Sequence, residues 1–290
     1  MSDSNKGFLL GLLGVALFAL TTPVTKLATA TAGFNGLSPV FITFGRAAAA
    51  GLLAIIYLRV VGAPVPLRRQ IIPLLLAGMG IVIGFPLFMG LAVQYVDAMH
   101  AAVIAGALPL GTAMLTALWM RERASMPFWL LAVLGFLLVL LYAWLEGGEG
   151  GFVLADGLLL LAMASASIGY VLGARMSLEM KPEHVVSWIL VLYLPLTMPV
   201  AYAFRPTATV EPVAWAGFAY VAIISMWLGF FAWYRGMALG GALRVSQVQL
   251  IQPFLSMLFA IPLLGERLTP LSGFFCLAII ATVALSRKVK

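Results

Sequence analysis

Residues 263–270 read LLGERLTP, a Gly-Glu-Arg turn closing an apolar run that begins near Leu243. Residues 118–125 read LWMRERAS and place the same Glu-Arg after a similar run. Glu122-Arg123 and Glu266-Arg267 are separated by 144 residues, and the same shift sets Pro109 on Pro253 and Ala98 on Ala242. Gly84-Phe85 falls on Gly229-Phe230 with a slip of one residue. Between the two copies lies EGGEGG (146–151), a flexible polar link. The chain therefore reads as a duplication.

Its composition says what solvent surrounds it. The chain is 63% hydrophobic and 9% charged, whereas a soluble domain carries about 25% charged residues. Such a chain cannot cover its surface in water, so lipid is the expected solvent and the expected class is an all-α integral membrane protein. Ten apolar segments fit a spanning length: roughly 8–30, 38–58, 71–93, 98–120, 127–145, 156–176, 184–204, 213–236, 242–264 and 271–287. The N-terminus begins like a signal peptide. Thr21 to Lys26 offers no small-x-small cleavage site, so it is read as the first span.

Charge sets the expected orientation. With a cytoplasmic N-terminus, 13 of the 17 Lys and Arg lie inside, Arg205 and Arg267 lie outside, and Lys26 and Arg46 fall within spans. That bias follows the positive-inside rule and accounts for a net charge of +7 without invoking nucleic acid. Both termini are then cytoplasmic. Each copy holds five spans, an odd number, so the second enters the membrane from the opposite side. The domains are a first repeat (1–146, helices 1–5), a connecting loop (147–155) and a second repeat (156–290, helices 6–10). Inverted repeats are characteristic of secondary transporters that alternate access around a midplane site.

The same residues look like a known family. ALWMRERASMPFWLLAVLGFLLVLLY (117–142) and PLLGERLTPLSGFFCLAIIATVAL (262–285) resemble the last two helices of the EamA repeat. That repeat occurs twice in ten-helix members of the drug/metabolite transporter superfamily. Lys26, the Ser-Pro at 38–39 and Arg46 extend the match. Two departures stand out: Phe18-Ala19 replaces an early Trp-Gly, and Tyr170 and Leu190 stand where the first half has Lys26 and Arg46. The resemblance implies a ten-helix basket whose central cavity is lined mainly by helices 1, 3, 4, 6, 8 and 9. It further implies export of small metabolites or drugs, with amino acids, often aromatic, favoured.

No GxxxxGK[ST] phosphate loop, no HExxH and no catalytic set of convincing spacing occurs, so neither an ATP-driven pump nor an enzyme is expected. No metal or cofactor is expected. The expected partners are a small-molecule substrate and the bilayer, with a monomer possible and a bacterial inner membrane as the location. All ten Asp and Glu fall in loops or at span ends. Coupled carriers often keep a carboxylate deeper, so facilitated diffusion or exchange, or coupling through another group, is expected.

Embedded polar groups are the candidate site. Lys26, near the outer end of helix 1, either meets a substrate carboxylate or snorkels to the interface. Arg46, deeper in helix 2, is read first as a structural donor to carbonyls freed by a helix break, with anion binding as the alternative. His100 lies at the outer mouth, as a lining or an ordinary interfacial residue. Gln249 and Gln252 share a face in helix 9, beside Gln247, and hold either a substrate or a neighbouring helix. Phe85, Tyr170, Tyr193 and Trp227 lie away from span ends and suit an aromatic wall or plain packing. Tyr142 and Tyr234 are assigned to the interfacial belts. Pro109 and Pro253 are paired flex points, and Glu122, Arg123, Glu266 and Arg267 end helices at the interface. The Gly80-Gly84 and Gly169-Gly173 spacings are expected to let helices approach closely.

Overall fold

The computed structural model describes residues 3–31, 33–119, 125–146, 153–240 and 247–288. Among them the regular elements are helical, with isolated bridges pairing Thr29 with Leu37 and Thr31 with Phe34. The α-helices are α1 (Asp3–Ala19), α2 (Thr21–Ala28), α3 (Pro39–Val60), α4 (Arg68–Gly78), α5 (Phe85–Ala92), α6 (Ala98–Ala105), α7 (Leu108–Trp119), α8 (Met126–Glu146), α9 (Leu154–Met176), α10 (Pro182–Ala203), α11 (Pro212–Ala219), α12 (Gly229–Gly240), α13 (Gln252–Leu264) and α14 (Pro270–Lys288).

Among the described residues, seven segments are long and apolar enough to cross a bilayer: Asn5–Ala28, Pro39–Val60, Arg68–Ala92, Met126–Glu146, Leu154–Met176, Pro182–Ala203 and Pro212–Met237. Three more apolar helices are shorter: Ala98–Thr112, Val248–Leu264 and Pro270–Leu285. Seven of the expected segments therefore reach spanning length, and shorter apolar helices lie where the other three were expected. Two of the short ones have local causes. The fourth breaks after α6, where Gly106 and Ala107 form a turn ahead of Pro109. The ninth opens with a 3₁₀ turn, Gln247–Ile251, ahead of Pro253. Both prolines sit in the first turn of the following helix, where the missing N–H removes no intrahelical bond.

The third and eighth segments each contain a π-helical stretch, Met79–Gly84 and Tyr220–Leu228. Each ends at the Gly-Phe pair that the duplication aligned. Such widened turns leave carbonyls displaced from the α pattern and recur at functional sites. Tyr193 donates to the Leu75 carbonyl at 2.6 Å, one turn before the first of them.

The long packings include α1 with α12, α3 with α10, α4, α5 and α7 with α9, α6 with α13, and α8 with α14. Glycine permits the tightest. A Cβ on Gly80 would lie 2.8 Å from the Gly169 nitrogen, and one on Gly84 would lie 2.5 Å from Ser165 Oγ. Gly173 is covered by the Tyr234 hydroxyl. The expected close approach is therefore made by the two glycine pairs partly against each other. Outward faces carry exposed apolar side chains such as Ile56, Leu130 and Phe274, each more than 60% accessible, as a lipid-facing surface should.

Two belt assignments are corrected. Tyr142 and Tyr234 are 0% and 1% exposed and lie inside the bundle. Their positions near span ends resembled interface anchors, but their helix faces turn inward. Tyr95, Tyr202 and Trp215 are exposed, as belt residues should be. Arg205 stacks over the Tyr202 ring at 4.0 Å.

Candidate functional site

Two polar regions stand one above the other. The upper is at the bundle end where residues 26, 95–100, 146, 153 and 266–272 meet. Gly265, at φ +68°, terminates α13 by donating its N–H to the Ile261 carbonyl, a backbone geometry suited to glycine. Glu266 then points away from its own helix. Its Oε1 and Oε2 accept the Ala98 and Met99 N–H groups at 2.8 Å each. A carboxylate there satisfies two of the four free donors at a helix start and opposes the helix dipole.

Glu266 Oε1 also lies 3.2 Å from Lys26 Nζ, which contacts Asp97 Oδ1 at 2.6 Å and donates to the Val96 carbonyl at 3.0 Å. Lys26 is therefore engaged by protein acceptors, and neither of its two expected roles describes this arrangement. Helix termination is also not the work of Glu266. Gly265 ends the helix, and Glu266 crosses to the first half of the chain. Glu122 and Arg123 lie outside the described residues.

Beside this cluster, His100 Nε2 lies 2.7 Å from Asp156 Oδ1, with both side chains buried. Asp156 Oδ2 accepts the Val153 N–H at 3.0 Å and so caps α9. The His100 ring packs on Tyr142, whose hydroxyl is 3.1 Å from Ser272 Oγ. Asp156 does sit at a span end, but it is 2% exposed. The capping bond turns its side chain back into the protein, which position alone did not reveal. His100, Glu266 and Arg267 line a vestibule of about 410 Å³.

The lower region is the central cavity, with room of about 30 Å³, enough for one or two waters. Its wall includes Phe18, Thr21 and Thr22 from the first segment, Phe85 from the third, Tyr170 from the sixth, Ser225 and Phe230 from the eighth, and Gln252 from the ninth. Ala105 and Leu108 come from the fourth. Arg46 enters from the second segment.

Arg46 is 3% exposed, and its Nη2 points at Met226 Sδ, 3.3 Å away. Its Nε has no hydrogen-bond partner among the described residues, and neither has Gln252 Oε1. Among the described residues, Arg46 makes no bond of the kind expected to freed carbonyls. Thr21 Oγ1 and Ser225 Oγ pair at 2.7 Å across the same space.

An adjoining cavity of about 10 Å³ shares Thr22, Ala105, Leu108 and Gln252 and adds Pro109, Pro253, Gln249 and Ser256. The Gln249 amide nitrogen and the Ser256 hydroxyl are likewise buried without partners. The 3₁₀ turn brings Gln249 to the face of Gln252, because residues three apart eclipse there. The two prolines thus flank one cavity.

Phe85, Tyr170 and Gln252 line the central cavity, and Gln249 lines the adjoining one. Lys26 and His100 stand above them. Trp227 is elsewhere: its Nε1 donates to Ser187 Oγ at 3.0 Å, and its ring packs on Tyr57 and Phe231. Sequence reasoning favoured a structural role for Arg46, which lines the cavity. Its signal was an intramembrane cation with no acidic residue at helical spacing.

Comparison with known proteins agrees with this architecture. Residues 5–144 and 153–287 each match the EamA-like transporter family. The protein is a multi-pass membrane transporter and belongs to that family. It is 38% identical over 290 residues to "Uncharacterized transporter YdeK" of Bacillus subtilis (strain 168), covering 99% of each chain. A solved structure described as "Crystal structure of protein" shares 20% identity and covers 99% of both chains at a TM-score of 0.66, a likeness of fold.

Proposed function

We propose that this chain is a secondary transporter that exports small amphipathic metabolites, amino acids including aromatic ones foremost, across a bacterial inner membrane by alternating access. Ten spans form two inverted repeats, 1–146 and 156–290, with both termini cytoplasmic and the upper vestibule external. The single observation that carries the reading is the central cavity. Among the described residues, buried polar atoms of Arg46 and Gln252 lack partners there, amid Phe85, Tyr170 and Phe230. Polar groups are costly to bury unpaired, and a cavity mixing apolar walls with a few such groups suits an amphipathic solute.

Several features support the two-fold arrangement. Exchanging the halves maps the α1–α12 packing onto that of α9 with α4 and α5, and it maps the α3–α10, α6–α13 and α8–α14 packings each onto itself. Both π stretches occupy corresponding places. The Lys26–Glu266–Asp97 cluster joins the halves above the cavity. In this reading it is the closed external gate, and Pro109 and Pro253 mark where the fourth and ninth helices flex.

The test is uptake and counterflow in proteoliposomes with labelled amino acids, with and without an imposed pH gradient. Saturable counterflow that ignores the gradient is expected. Absence of flux for every amino acid removes the leading substrate class, and steep gradient dependence contradicts uncoupled exchange. A multidrug or other metabolite exporter of the same fold is the second reading, favoured by the aromatic share of the cavity wall.

A further inference from the structure

We infer that the central cavity selects solutes bearing a carboxylate, held by the guanidinium of Arg46, with Gln252 bonding a second polar group of the same solute. The inference rests on the transporter reading above and narrows its substrate class. Among the described residues lining the cavity, Arg46 is the one charged side chain, and no Asp or Glu faces it. No carboxylate lies within ion-pair distance of Arg46 among the described residues. The contrast with Lys26 is direct, since that cation has two carboxylates and a carbonyl around it.

An uncompensated buried charge is strongly destabilising. A solute that brings the missing negative charge removes the deficit, and one that brings a positive charge enlarges it. The cavity thus favours anionic groups over lipophilic cations. Arginine suits the task because its planar fork meets a carboxylate through two parallel N–H···O bonds. Here the Nε–H is the unoccupied donor, and Nη2 rests on a thioether, a weak acceptor that a carboxylate readily displaces.

The charge is also one-sided. Leu190, the counterpart of Arg46 in the second half, is fully buried and apolar. Across the cavity stands the Gln252 amide, whose carbonyl oxygen is free to accept from an ammonium or hydroxyl. Thr22 lines both this cavity and the adjoining one. Because the present volume admits only one or two waters, solute entry requires the surrounding helices to part.

The experiment is counterflow in proteoliposomes using labelled L-phenylalanine and L-leucine, their 2-oxo acids and their carboxamides. Wild type, Arg46→Lys and Arg46→Gln are compared, each checked as a monodisperse species in detergent. The expected result is saturable exchange of the carboxylates, no exchange of the carboxamides, and carboxylate flux lowered roughly 10- to 100-fold in Arg46→Gln. Arg46→Lys should keep an intermediate rate, since it retains the charge and loses the fork.

If Arg46→Gln fails to fold, the wild-type comparison of carboxylate with carboxamide decides. Carboxamides crossing as fast as carboxylates, or a folded Arg46→Gln with undiminished flux, overturns the carboxylate inference and leaves the transporter reading standing. No flux of any probe overturns the carboxylate inference together with the amino-acid reading on which it rests.

Discussion

Lys26 Nζ lies 3.2 Å from Glu266 Oε1, an ion pair that ties the end of α2 to the turn after α13. Glu266 simultaneously accepts two N–H groups at the start of α6, so three elements meet at one carboxylate. Glu266→Ala is expected to cost about 1–3 kcal/mol, because it leaves partly buried donors and an ammonium short of an acceptor. Asp97→Asn should cost less than about 1 kcal/mol, since that side chain is 73% exposed. Denaturant unfolding in detergent micelles measures both. Equal effects would show that the carboxylate on the helix start is not what holds the cluster.

Asp156 makes a separate prediction. It bonds His100 and caps α9 while almost fully buried. Asp156→Ala removes both bonds and should cost about 2–4 kcal/mol. Asp156→Asn retains an acceptor for the Val153 N–H and should cost less. A thermal melt in which the two variants match wild type would contradict the paired burial.

Close packing of Gly80 on the sixth segment is testable by one methyl group. A Cβ at Gly80 would lie 2.8 Å from the Gly169 nitrogen, with backbone rather than a yielding side chain in its way. Gly80→Ala should therefore cost about 1–3 kcal/mol. Gly273→Ala, where a Cβ meets nothing within 4 Å, should change stability by no more than about 0.5 kcal/mol. The paired melts decide.

Much of this arrangement is written in the local sequence, and the rest is not, for physical reasons. The apolar segments are legible because the bilayer demands length, and the glycine pairs because only glycine lets backbones touch. The gathering of Phe85, Tyr170, Gln249 and Gln252 follows from depth. Facing is harder to read. Helices packed on one side and bathed in lipid on the other are apolar all round, so nothing marked Tyr142 and Tyr234 as inward or Trp227 as remote from the cavity. Arg46 looked structural because its partner had to be guessed. The π stretches leave no compositional trace, although the aligned Gly-Phe pairs mark where both end. Asp156 is hidden by a capping bond that depends on three-dimensional contact.

Pro109 and Pro253 lie in first helical turns and flank one cavity. Neither replaces a lost intrahelical bond, so Pro109→Ala and Pro253→Ala should each alter stability by less than about 1 kcal/mol. As flex points, they should instead slow counterflow. Unchanged rates in both variants would remove the prolines from the mechanism.

The central claim is that solute crosses by opening the end closed by Lys26 and Glu266. The most direct measurement joins these positions in a Lys26→Cys, Glu266→Cys, Cys276→Ser protein. A short bifunctional thiol reagent attached through reducible bonds makes the link, and counterflow is followed before linkage, after it, and after reduction. The account predicts flux before linkage, arrest when linked, and recovery on reduction. Undiminished counterflow in fully linked protein would contradict it.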